Sequence, residues 1–303
     1  SYEDISAQKP GIGWCCISGF GQDGPYRDRP AYDMIVQAMS GGMSMTGEPD
    51  GPPVRSGIPL GDIAAGMYGV IGILAAIAER ERTGRGKMID VAMLDCQVAM
   101  LSYQAAYCLT SGQAPKRQGR GHDSIPTYRG FTCGDGNDIV ITANTERMWV
   151  NLCAAIGRPD LAQEERFRTN DRRYANRDAL WGILEAAFRT KGANDWVEAL
   201  LAAEVPAAVV NTLDRSLTDP QVLHRNMVLA LAGPQGEEAR VAGNPIKFTG
   251  EAEAEPGYPP LLGADNHEIL RSLLGFGDEE LAELERAGVF GKATGAASAR
   301  KAG

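Results

Sequence analysis

The hydrophobic pattern centres on residues 63–78, where no charged side chain occurs, and Glu79-Arg80-Glu81-Arg82-Thr83-Gly84 closes the run. Its 16 residues fall short of the roughly 20 needed to span a bilayer, so the pattern predicts a buried core helix. Asp62 stands where an N-cap belongs and Gly84 where a helix stops. Gly66, Gly69 and Gly72 each weaken such a helix by about 1 kcal/mol relative to alanine. Their presence predicts close approach of another backbone along that face.

The other elements follow from periodicity and breakers. Residues 1–10 read as a polar helical turn and 13–18 as a buried strand ending at the glycine-rich segment 19–26. The pattern then predicts a helix over 31–39, a flexible loop over 41–53, a strand over 88–93 and a helix over about 94–109. Runs 127–132 and 138–142 flank Gly134-Asp135-Gly136, a hairpin signal. Helices near 146–156, 176–189 and 193–203 follow, with an apolar strand at 207–210. Short strands near 227–231 and 239–242 and helices near 265–274 and 278–287 complete the pattern.

These elements predict an α/β protein. A large Rossmann-like domain occupies 1–110, a polar and basic linker 111–119, and a small α+β domain 120–212. The chain then returns to the large domain over 213–290, and a Gly/Ala/Lys tail at 291–303 is expected to be disordered. A parallel-sheet domain normally has βα units before a central strand, so the opening residues look like the middle of a domain.

Composition narrows the class. The chain has 303 residues, 44% hydrophobic and 23% charged, which is ordinary globular material. A net charge of −9 argues against a nucleic-acid surface, but leaves a locally basic site for a small anion open. The cysteines at 15, 16, 96, 108, 133 and 153 lack metal-ligand spacing. They read as reduced thiols of a cytoplasmic protein, with Cys15 and Cys16 on opposite faces of their strand. No signal peptide or membrane span is visible, no membrane partner is expected, and no metal site is expected.

Candidate chemistry rests first on Asp62, for which two readings stand. It is a helix cap, or it is a carboxylate held ionised by the helix N-terminus and poorly solvated against an apolar wall, hence a usable nucleophile. Gly19, Gly21 and Gly24 fit the letters of a dinucleotide-binding loop. Pro25 and the polar run to Pro30 follow, with no immediate helix to receive a pyrophosphate, so that mechanism is not supported.

Ile17-Ser18-Gly19-Phe20-Gly21-Gln22-Asp23-Gly24-Pro25-Tyr26 resembles the signature loop of the class III coenzyme A transferases. The likeness continues through Ala31-Tyr32-Asp33, Thr46-Gly47, Leu60-Gly61-Asp62, Arg82-Thr83-Gly84-Arg85-Gly86 and Asp90-Val91-Ala92-Met93-Leu94-Asp95. It resumes at Pro126-Thr127-Tyr128-Arg129-Gly130-Phe131, Asp135-Gly136 and Pro259-Pro260-Leu261-Leu262-Gly263, and so covers nearly the whole chain up to the tail.

The resemblance implies a transfer of coenzyme A from an acyl-CoA to a small or dicarboxylic acid, with Asp62 as covalent nucleophile and backbone N–H groups, Gly61 among them, as oxyanion donors. CoA is implied as a substrate, with no permanently bound cofactor. The resemblance places it along Arg29, Ala31 and Tyr32 and against Met93, although Met93 reads equally as core. Arg29 stands in for a lysine of some relatives, whose position is Pro30 here. Arg120 or His122, in an overhanging loop, could meet the acceptor's second carboxylate. The longer glycine-rich loop of formyl-CoA transferase is missing, which makes an oxalate-specific site doubtful and favours dicarboxylate transfer. His224 and His267 read as surface residues.

Two alternatives stand beside transfer. The related α-methylacyl-CoA racemases carry a histidine where this chain has Tyr32, and tyrosine removes an acid–base partner suited to neutral pH; Tyr32 also fits a plain amphipathic helix. An inactive truncated paralogue or assembly partner is the other. The family implies interlocked homodimers and N-terminal βα units, on the order of a hundred residues, that precede the segment seen here. From this we expect the isolated chain to have little activity.

Overall fold

The computed structural model describes residues 1–233 and 236–290; the tail expected at 291–303 lies outside them. Two compact units divide the chain, one over residues 1–210 and one from 211 onward.

The first unit opens with α1 (Tyr2–Gln8), closed by a Ser1/Asp4 capping box. Strands β1 (Trp14–Ser18) and β2 (Met88–Ala92) pair in parallel, Trp14 opposite Met88 and Ser18 opposite Ala92. Between them run α2 (Asp33–Met39), the short α3 (Gly42–Met45) inside the segment expected to be a loop, and α4 (Leu60–Thr83). A parallel pair requires such a crossover. β1 is half-buried rather than buried, with Ile17 exposed. Alternation along β1 separates the adjacent cysteines: the Trp14 indole N–H reaches Cys16 Sγ at 3.1 Å, while Cys15 faces α4.

Helix α4 departs from the sequence reading in three ways. It starts three residues earlier, with Pro59 as N-cap and Asp62 inside the first turn, so Asp62 is not the cap. Gly69 and Gly72 admit strand side chains rather than another backbone. A Cβ would come within 3.2 Å of Ile17 Cδ1 at Gly69 and 2.8 Å of Ile89 Cγ2 at Gly72, whereas one at Gly66 meets nothing. Nor is the helix a buried core element. Gly61, Ala64, Ala65, Gly69 and Ala76 are buried, while Ile63, Met67, Val70, Ile71 and Leu74 are exposed. At 24 residues, with a mean hydropathy of 1.8 over an 18-residue window, it is long and apolar enough to cross a membrane by length and composition alone. Gly69 and Gly72 lie against strand side chains, while the large apolar residues are exposed among the described residues.

The single helix expected over about 94–109 is two, α5 (Met93–Met100) and α6 (Tyr103–Ser111). Ser102 between them adopts φ 52°, a left-handed backbone that interrupts the i→i−4 ladder. The apolar cluster beneath the start of α4 comprises Val36, Ala64, Ala65, Val91, Met93 and Cys96, with Phe20, Ala31 and Leu94 against it.

A second cluster in the same unit is larger. Strands β3 (Tyr128–Thr132), β4 (Asp138–Thr142) and β5 (Ala207–Val209) form an antiparallel sheet in that order. Phe131, Ile139 and Ile141 point from it into the core. Helices α7 (Glu146–Ala155), α8 (Asn170–Ala175), α9 (Arg177–Phe188) and α10 (Ala193–Ala202) follow. Trp149/Leu152/Cys153, Leu180/Leu184/Phe188 and Ala193/Trp196/Leu200 are the buried residues of α7, α9 and α10, at the spacing of one helical face.

The second unit contains α11 (Leu213–Leu217), α12 (Pro220–His224), the antiparallel pair β6 (Val228–Ala232) and β7 (Glu238–Ala242), α13 (Asn266–Leu274) and α14 (Asp278–Arg286).

Candidate active site

Two glycines make the glycine-rich loop possible. Gly21 and Gly24 hold φ of 94° and 79°, conformations that side chains disfavour. The first half of the loop is tied down. Gly21 N–H donates to Ser18 Oγ at 2.9 Å, Gln22 N–H to Asp90 Oδ2 at 2.8 Å, and Leu94 N–H at the head of α5 to the Gly19 carbonyl at 3.1 Å. Ala31 packs onto Gly19 so closely that a Cβ there would lie 2.3 Å from Ala31 Cβ. The exposed Arg29 guanidinium stacks over Tyr26, 3.7 Å from its ring centroid. Ala31 and Met93, far apart in sequence, thus belong to one apolar cluster, with Arg29 and Tyr32 on the same short segment as Ala31. Tyr32 is 81% exposed. Met93 is buried, so its side chain serves as core whatever else it does.

The head of α4 is positioned by α2. Asp33 Oδ1 accepts the Gly61 N–H at 2.8 Å, and Asp33 Oδ2 accepts Gln37 Nε2 at 2.8 Å. The buried Gln37 amide also accepts the Ser56 N–H at 2.9 Å and donates to the Ile58 carbonyl at 3.4 Å. One carboxamide therefore joins α2 to the segment that leads into α4. Among the first amides of α4, Leu60 donates to the Ile58 carbonyl, Gly61 to Asp33 and Ile63 to the Pro59 carbonyl. The Asp62 N–H is left without a partner among the described residues. The Asp62 carboxylate is exposed, which corrects the expectation of a poorly solvated acid. Asp33, Gln37 and Ser56 were not expected to shape the site; an acid at the first position of α2, with glutamine four residues on, was the available signal.

Arg120 and His122 lie elsewhere in the first unit, around a cavity of about 440 Å³ whose lining does not include Asp62, Tyr32 or Met93. Arg120 Nη1 is 2.9 Å from Asp138 Oδ1 and donates to Thr132 Oγ1 at 3.1 Å. His122 stacks on Tyr128, with ring centroids 5.3 Å apart, and sits 2.9 Å from Asp123 Oδ1. The described residues contain no cluster of three or more His, Cys, Asp or Glu able to hold a metal.

Residues 1–266 match the model of CoA-transferase family III, and the chain belongs to that family. It is 35% identical over 288 residues to the succinyl-CoA:glutarate CoA-transferase of Homo sapiens, covering 95% of this chain and 66% of that protein. To the acetyl-CoA:oxalate CoA-transferase of Acetobacter aceti it is 38% identical over 264 residues, covering 86% of this chain and 66% of that one. The crystal structure of a CAIB/BAIF family protein from Brucella suis superposes with a TM-score of 0.78 at 36% identity, covering 89% of this chain and 70% of that one. The chain thus spans about two thirds of the length of these curated relatives.

Proposed function

We propose that this protein transfers coenzyme A from an acyl-CoA to a small dicarboxylic acid, with Asp62 as nucleophile. The observation that carries the reading is the head of α4. It presents an exposed carboxylate and a backbone N–H that have no partner among the described residues, on a turn fixed by Asp33 and Gln37.

The chemistry needs only the substrates and this acid. An Asp62 oxygen attacks the thioester carbonyl, the C–S bond breaks, and CoA leaves as thiolate with an aspartyl–acyl anhydride behind. The thiolate then attacks the Asp62 carbonyl of the anhydride and the donor acid departs as carboxylate, leaving an aspartyl–CoA thioester. An acceptor carboxylate attacks that thioester and again frees the thiolate. Attack of the thiolate on the acceptor carbonyl releases the new acyl-CoA and restores Asp62. Dividing the transfer this way lowers each barrier. Each tetrahedral intermediate carries an oxyanion, for which the free Asp62 N–H at the positive end of α4 is the suited donor. The Gly61 N–H, taken by Asp33, is not.

In this reading Arg29 would meet CoA phosphates, and Ala31 and Tyr32 would line the thioester's approach with Met93 behind them; the exposed Arg29 guanidinium and the shared apolar cluster of Ala31 and Met93 support it. The acceptor is left at the level of small dicarboxylic acids, because relatives named for glutarate and for oxalate are comparably similar. A homodimer in the cytoplasm accounts for the uncovered apolar face of α4 by protein rather than lipid, and the stripe of small residues beside it suits helix packing.

The test is trapping. Incubation with an acyl-CoA followed by borohydride should convert Asp62, and no other acid, to its alcohol, as located by peptide mass spectrometry. Modification of a different carboxylate, or an unchanged yield in Asp62→Ala, would overturn the assignment.

A further inference from the structure

The cavity of about 440 Å³ around Arg120 is cationic on an acidic protein. Lys116, Arg117, Arg120, Arg129 and Arg177 line it, against only Glu48 and Asp178. Much of this charge is unmatched. Lys116 has no ionic partner among the described residues, and Arg117 donates to carbonyls, Glu48 O at 3.1 Å and Ser44 O at 3.4 Å. Arg177 likewise donates to a carbonyl, that of Tyr174, at 3.0 Å.

Arg129 is the most exacting member. Its side chain is only 14% exposed and its nearest carboxylate, Glu185, is 3.6 Å away. Its buried Nε has no hydrogen-bond partner among the described residues, and its guanidinium lies 4.1 Å from the Trp181 ring centroid. Desolvation lowers its proton affinity, the direction expected of a charge whose counter-ion is not fully supplied. A buried, underpartnered guanidinium ordinarily has an oxyanion to complete it.

We propose that this cavity binds a small dianion, a dicarboxylate or a phosphate, held between Lys116 and Arg177 and anchored by the Arg129 fork over Trp181. The volume suits a small ligand. Because Asp62 is not in the lining, the site is separate from the reacting carboxylate. A dianion there would bridge the 116–122 segment to strand β3 and helix α9.

The full chain would be titrated by calorimetry and tryptophan fluorescence with succinate, glutarate and inorganic phosphate, using acetate as the monoanion control. Saturable binding of a dianion well above acetate, with a fluorescence change lost in Trp181→Phe, is expected. Phosphate competing with succinate would show recognition of a dianion in general; failure to compete would show a dicarboxylate site. Lys116→Gln/Arg177→Gln, on the solvent side, should weaken binding by at least about tenfold. Arg129→Lys, which keeps the charge but loses the fork, should weaken it similarly. No dianion preference, or binding undiminished in both variants, would overturn the proposal. Asp62→Ala should bind the dianion as the native chain does, so failed trapping at Asp62 leaves this site standing; loss of dianion binding in Asp62→Ala would refute a separate site.

Discussion

Asp33 Oδ1 accepts the Gly61 N–H at 2.8 Å, across 28 residues of chain. The carboxylate that complements the N-terminus of α4 therefore comes from α2, not from the helix's own sequence. This division of labour leaves the Asp62 carboxylate outside the helix's internal hydrogen bonding, and its own amide open beside it. One acid fixes the turn, while the proposed nucleophile has no hydrogen-bond partner among the described residues.

Asp33→Ala should lower stability by about 1–2 kcal/mol, since it leaves the buried Gly61 with an unanswered N–H and removes the Asp33 acceptor of the Gln37 amide. Asp33→Asn retains an acceptor oxygen and should fall between alanine and the native chain. Urea unfolding gives the order, and borohydride trapping at Asp62 should slow in the same order. An unchanged midpoint in the alanine variant would show that the Asp33–Gly61 contact does not hold α4.

Gly61→Ala tests the same joint by crowding it. The added Cβ would lie 2.7 Å from Val36 Cγ2 and 3.2 Å from Asp33 Oδ1, with an expected loss of about 1–3 kcal/mol. Val36→Ala removes the nearer atom, so the double variant should be less destabilised than the sum of the two single changes. Strict additivity in that cycle would place the strain elsewhere.

Much of this arrangement was legible in the sequence because it is local. The alternation of the 127–142 hairpin, the amphipathic helices around Trp149, Leu184 and Leu200, and the crossover between parallel strands all follow from periodicity. What was not legible depends on partners distant in sequence. Asp62 looked like a cap because the acid that answers the helix start is Asp33, and periodicity carries no information about that pairing. The run 63–78 looked buried because apolar composition cannot say whether its cover lies in the same chain. The break at Ser102 rests on one left-handed residue that is neither glycine nor asparagine, so no composition signal marked it.

The cysteines divide by burial. Desolvation pushes the Cys153 thiol up to about 12 and Cys133 up to about 11, and raises Cys96 as well. At pH 8 the thiolate fraction of Cys153 is on the order of one in ten thousand. Treatment of the native chain with a thiol-exchange reagent, mapped by mass spectrometry, should therefore leave Cys96, Cys133 and Cys153 unmodified until denaturant is added. The half-buried Cys15, Cys16 and Cys108 are the ones open to labelling. Native-state labelling of Cys153 at the rate of an exposed thiol would contradict the packing of α7 in the larger core.

Arg173 is 1% exposed and makes a two-point bridge to Glu146, Nη1 to Oε2 at 2.9 Å and Nη2 to Oε1 at 2.7 Å. It also donates to the Phe167 carbonyl at 3.0 Å, tying α8 to the start of α7. The hydrogen bonds from Arg173 hold the Glu146 carboxyl below the ordinary glutamate value of 4.5. A depressed folded value means that the ionised acid stabilises the fold fully above about pH 4.5 and that this contribution is lost as pH falls through the folded value. Removing one member of a buried pair costs about 3–5 kcal/mol, but Glu146 itself is 60% exposed, which reduces the expected cost of Glu146→Gln to about 1–2 kcal/mol at pH 7. Urea unfolding of both chains should show that gap narrowing as pH is lowered below 4.5, because the native glutamate then becomes as neutral as the glutamine. A gap of constant size from pH 7 to the acid limit would mean that the charge on Glu146 contributes nothing and that Arg173 is held by the Phe167 carbonyl and its packing on Trp149 alone.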